Sequence, residues 1–162
     1  MSASAIDALR VTLLVLGVSV FLAAVWFGAT MPEPPPDSDG VPVGFAVVFV
    51  VLGQTAGALL ALVGYALPAG SGRLRFGPLA ARSAATRVAA AAVGFTVTTL
   101  LLTVLGWVLP DSLPRIVTGT HGFLWLGAAV GSVVGVVLAA VLAVGTVLWR
   151  VVRGEPIRGR GN

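Results

Sequence analysis

From Gly122 to Trp149 the chain carries no charged side chain. Coiled as an α-helix at about 1.5 Å per residue, that run would be about 42 Å long. A bilayer's hydrocarbon core is about 30 Å thick. Inside lipid a segment must satisfy its own backbone hydrogen bonds, which leaves only helices and closed barrels. An unbroken apolar run of this length, without strand-like alternation, selects the helix. Three further runs behave the same way, Val11–Thr30, Val43–Leu67 and Val88–Leu109. The composition agrees: 57% of residues are hydrophobic and 10% charged, against about 25% charged in soluble domains. The predicted fold is therefore all-α, a polytopic integral membrane protein with four transmembrane helices in an up-down bundle. The spans are placed at about 11–30, 43–67, 88–109 and 122–149, within one membrane domain covering 1–162. The first run is too long for a signal-peptide core and has bulky Trp26 and Phe27 where a cleavage site would need small residues, so it is read as an uncleaved span.

The connections are short. Met31–Val41 holds Pro32, Pro34, Pro35 and Pro36, which fix φ and remove donors, so this segment stops the first helix and is extended. Its Glu33, Asp37 and Asp39 form a solvated acidic loop rather than a calcium loop. Pro68–Arg87 is basic, and Pro78 suits the first turn of a third helix starting in the aqueous layer. Asp111–His121 is read as a short loop, and 150–162 as a basic tail.

Charge sets the expected orientation. All basic residues are arginine, and every one except Arg115 falls on the side that holds both termini and the second loop. Glu33, Asp37, Asp39 and Asp111 fall on the other side. The positive-inside rule then places both termini in the cytoplasm, in the cell membrane. Trp26, Trp107, Trp125 and Trp149 fall near span ends, where an aromatic belt belongs.

Small residues mark where helices can approach. Gly127, Gly131, Gly135, Ala139 and Ala143 recur at intervals of four, as do Gly53, Gly57 and Ala61. Small residues at this spacing let helix backbones pack closely in lipid. Gly53, Gly57, Gly127, Gly131, Gly135 and Ala139 are the helix-packing candidates. A strict interval of four drifts about 40° per step around a helix. The row on the fourth span is therefore expected to divide, Gly127 to Gly135 facing one neighbour and the later residues another. One of those neighbours is expected to be the second span through Gly53 and Gly57.

Ser19, Gln54, Thr99 and Ser132 fall near mid-span and form a candidate polar layer. Gln54 carries donors and an acceptor that lipid cannot satisfy, so it is expected to bond a neighbouring helix, at Thr96 or Thr99. A bonding role is favoured over a substrate site.

Other chemistry is not encoded. There is no cysteine, which excludes disulfides and thiolate chemistry. No ionisable group sits at mid-span, whereas proton-coupled transport generally needs one. The single histidine, His121, has only Asp111 near it in sequence, a poor metal set. No nucleophile, base and orienting group converge. No catalytic residue, cofactor or metal is expected, nor is nucleic-acid binding, because the terminal Arg-Gly-Arg-Gly-Asn is too short to support it. The expected role is a non-enzymatic structural or accessory membrane subunit that contacts the lipid bilayer and either itself or another membrane protein. The alternative is a small oligomeric transporter or channel for an uncharged or passively moved solute.

Overall fold

The computed structural model describes residues 3–32, 41–67, 82–110 and 113–153. These form four α-helices: α1 (Ala3–Ala29), α2 (Val41–Ala66), α3 (Ala84–Val108) and α4 (Arg115–Val152). All four are long and apolar enough to cross a membrane, and the architecture is an all-α four-helix bundle. The chain is a membrane protein.

Helix ends differ from the hydropathy boundaries for local reasons. α1 begins at Ala3 rather than at Val11, so Asp7 and Arg10 lie within it; a charge ends an apolar run but not a helix. α3 begins at Ala84, where Ser83 acts as N-cap and its hydroxyl accepts from the Thr86 amide at 3.2 Å. The suggested start at Pro78 lies outside the described residues. α4 begins at Arg115, so Arg115–His121 is helical, not a loop. Pro114 precedes it, and the Val117 amide donates to the Pro114 carbonyl at 2.8 Å. The acidic loop at 33–40, most of the basic second loop and the tail from 154 lie outside the described residues.

The helices pack as two antiparallel hairpins, α1 on α2 and α3 on α4. The hairpins meet chiefly through α4, which touches both α1 and α2, whereas α3 meets α2 only lightly. Among the described residues α1 and α3 make no close approach. The α1–α2 seam is the closest. A β-carbon on Gly57 would lie 2.6 Å from the Phe21 amide nitrogen and 2.7 Å from the Gly17 carbonyl oxygen. A β-carbon on Gly17 would lie 2.7 Å from the Gly57 carbonyl oxygen and would strike the Ala61 amide nitrogen as well. Both positions require glycine because backbone lies against backbone.

Elsewhere phenylalanine rings sit on glycines. The Phe21 ring covers Gly127, the Phe95 ring covers Gly131 and the Phe123 ring covers Gly28. Phe21 thus has its backbone against α2 and its ring against α4, and it ties one hairpin to the other. In lipid the apolar effect does not drive helices together, so such van der Waals fits carry much of the association.

Candidate functional site

Gln54 is the one mid-span polar side chain that is wholly buried, at 0% exposure. Its amide nitrogen donates to the Phe123 carbonyl on α4 at 2.7 Å, and Gly127 lies against the same nitrogen. The expectation of a bond to Thr96 or Thr99 is corrected. The face of α2 that bears Gln54 meets α4 at Phe123 and Gly127. The acceptor is a main-chain carbonyl that no side-chain pattern could mark. Among the described residues Gln54 Oε1 has no hydrogen-bond partner.

The rest of the expected polar layer does not converge. Thr99 donates to the Phe95 carbonyl at 2.8 Å and Ser132 to the Ala128 carbonyl at 2.9 Å, each within its own helix. Thr96 does the same with Ala92 at 2.9 Å. Ser19 is exposed on α1, on an open apolar face with Val11, Leu14, Val15 and Val18.

The small-residue candidates are distributed over three neighbours. Gly53 faces Ala24, and Gly57 faces Phe21 and Gly17, so both sit on α1 rather than on α4. Gly127 faces α1 and α2 through Phe21 and Gln54. Gly131 and Gly135 face α3, the latter with Ala92 Cβ 2.8 Å from a β-carbon placed there. The handover therefore falls between Gly127 and Gly131, not at Gly135. Ala139 is half-buried and Ala143 exposed, so the row leaves the bundle before it ends.

At the end of the bundle away from the termini, Trp125 Nε1 donates to Thr103 Oγ1, which in turn donates to the Thr99 carbonyl at 2.8 Å. One turn further out, the half-buried His121 ring lies over Gly106. These contacts close the α3–α4 hairpin. Among the described residues no group of three or more His, Cys, Asp or Glu could hold a metal, and Asp111 lies outside them.

The end that holds the start of α1 and the end of α4 contains a feature the sequence reading missed. Arg10 and Arg87 are buried, at 1% and 4% exposure. Arg87 Nη2 donates to the Ala66 carbonyl, the last residue of α2. Arg10 and Tyr65 each lie close enough to Arg87 to act on it electrostatically, and the Arg10 carbonyl lies against Gly64. Arg87 thus serves one of the orphan carbonyls at the α2 C-terminus and complements its partial negative charge. The cluster joins α1, α2 and α3 where α3 otherwise touches α2 little. One signal could have exposed it. Arg10 and Arg87 each adjoin an apolar run at the depth of Gly64 and Tyr65, and small Ala90 and Ala91 follow Arg87 on α3. Next to this cluster, Leu14, Ala61, Tyr65, Ala91 and Phe95 line an open apolar cleft of about 270 Å³.

Compared with known proteins, the chain matches no family model, no curated protein and no solved structure.

Proposed function

We propose that the protein is a non-catalytic structural or accessory subunit of a membrane assembly, associating with itself or another membrane protein through its helix faces. The observation that carries this reading is a division among its glycines. Those between helices are filled by the chain's own groups, Ala24, Phe21, Phe95, Phe123 and Ala92. Gly94 on α3 instead has nothing within 4 Å of a β-carbon. It stands among exposed apolar side chains, Val93, Val97 and Leu101. In lipid, an open small residue on such a face admits a second helix backbone. The arginine distribution supports a cell-membrane protein with both termini cytoplasmic.

The test is mild-detergent purification followed by mass spectrometry of the intact assembly. A stoichiometric foreign subunit, or a homo-oligomer broken by Gly94→Leu without loss of the monomer's helicity, is the expected result. A monomer under all conditions overturns the reading. A small oligomeric transporter is the second reading, and the apolar cleft beside Tyr65 is what favours it, since its walls suit an uncharged solute. A clean homo-oligomer that moves such a solute across liposomes would replace the first reading with this one.

A further inference from the structure

α4 is too long for the membrane it crosses. Its 38 residues extend about 57 Å. A tilt of about 40°, the upper end of the usual range, accommodates only about 39 Å within the hydrocarbon. About 18 Å must therefore lie in the interfacial layers. Residues 143–153 are exposed throughout, and no other helix covers them among the described residues.

This bare segment is graded along its length. A shallow, open groove between the side chains of α4 itself runs over one face. Its inner part is lined by Val141, Leu142 and Gly145, and the missing side chain of Gly145 forms a recess. Its outer part is lined by Trp149, Arg150 and Arg153. The Arg153 guanidinium stacks over the Trp149 ring at 4.5 Å from its centroid. Stacking occupies the flat face of the guanidinium and leaves its N–H edge free to meet an oxyanion. Tryptophan at a span end marks the headgroup level, so the two guanidinium groups stand at the depth of lipid phosphates.

We propose that this groove binds one anionic phospholipid, its phosphate held by Arg150 and Arg153 and an acyl chain laid along Leu142 and Gly145. Arg150 and Arg153 are three residues apart and so lie on one helix face. The C-terminus of α4 carries about half a negative charge, which opposes an anion. Two full positive charges within a turn of it outweigh that. Among the described residues the groove's lining contains no acidic side chain. The Thr146 hydroxyl donates to the Ala143 carbonyl at 2.7 Å, so selectivity comes from charge rather than from that hydroxyl. The site rests on the membrane-spanning reading of the chain and is independent of the accessory role.

The test uses the full chain in neutral detergent, titrated with phosphatidylglycerol or phosphatidylcholine and read by mass spectrometry of the intact protein. One phosphatidylglycerol should bind in preference to phosphatidylcholine. Each guanidinium near a membrane surface contributes about fivefold to anionic-lipid affinity. The double variant Arg150→Gln/Arg153→Gln should then lose about thirtyfold for phosphatidylglycerol, while Arg115→Gln at the opposite end changes nothing. Gly145→Leu, which fills the recess, should also weaken binding. Unequal binding of the two lipids should fade as salt is raised, a readout that needs no variant. Equal affinity of the parent chain and the double variant, or salt-insensitive preference, overturns the site. Displacement of the lipid by millimolar inorganic phosphate also overturns it, since the recognised group would then be a free anion.

Discussion

Replacing Gly57 with alanine adds one carbon at the backbone contact between α1 and α2. That carbon would lie 2.6 Å from the Phe21 nitrogen, 2.7 Å from the Gly17 oxygen and 2.9 Å from the Phe21 Cα. All three are backbone atoms, so no side chain can swing aside. Ordinary carbon contacts need about 3.5–4.0 Å, so α1 and α2 must part by about 1 Å. A gap of that size forfeits about a quarter to a half of each contact's attraction. The loss would extend to the neighbouring fits of Gly53 on Ala24 and Gly64 on Leu13. Overpacking of this kind costs about 1–3 kcal/mol, and the better helix propensity of alanine returns up to about 1 kcal/mol. The net expectation is a destabilisation of about 1–2 kcal/mol for Gly57→Ala and more for Gly57→Leu. Gly122→Ala on α4 is the matched control, because its β-carbon meets nothing within 4 Å. It should be neutral or slightly stabilising. The assay is thermal unfolding in mild detergent, followed by circular dichroism. For a chain of this size about 1 kcal/mol moves the midpoint by about 2–4 °C. If Gly57→Ala melts with the parent chain, or if Gly122→Ala is equally harmful, the backbone-contact argument fails.

Gly135→Leu should also lower the melting midpoint, because its first side-chain carbon meets Ala92 Cβ and Cα at 2.8 and 3.1 Å; an unchanged midpoint would mean that this face looks at lipid. Gln54→Met should stay within about 1 kcal/mol of the parent, since it removes the bond to Phe123 together with an oxygen that has no hydrogen-bond partner among the described residues. Gln54→Glu should be clearly destabilised at neutral pH, because it would place a carboxylate in the same buried position. Thr103→Val should cost about 0.6 kcal/mol through loss of the Trp125 bond. Thr98→Val, whose hydroxyl is exposed and bonds only Gly94 of its own helix, should cost nothing measurable.

Much of the fold was legible because lipid is a simple solvent. An uninterrupted run such as Gly122–Trp149 has one backbone solution there, and four such runs define the helices without reference to neighbours. Helix ends were less legible because hydropathy reports the edge of an apolar run and not the edge of a hydrogen-bond ladder. Asp7, Arg10 and Arg115 interrupt the first property and leave the second intact. Spacing identified Gly53, Gly57, Gly127, Gly131 and Gly135 as small positions on a face. It could not say which neighbour each face meets, and Gly57 lies against the α1 backbone at Gly17 and Phe21. Gln54 was recognisable as needing a partner, but its partner is the Phe123 carbonyl, and every residue has one of those. The Arg10–Arg87 cluster was missed because both residues read as boundary charges, which usually point to water. Only packing of α1, α2 and α3 around them makes them interior.

The central claim is a four-span bundle whose arginine-rich end, with the buried Arg10 and Arg87 and the α4 groove, lies in the cytoplasm. The absence of native cysteine makes single-cysteine labelling on intact cells the most direct measurement. Ser83→Cys, at the N-cap of α3, should react with a membrane-impermeant thiol reagent only after the cells are opened. Ser38→Cys, in the first loop, should react on intact cells. The reverse pattern would invert the protein, and labelling of both on intact cells would contradict the four-span topology itself.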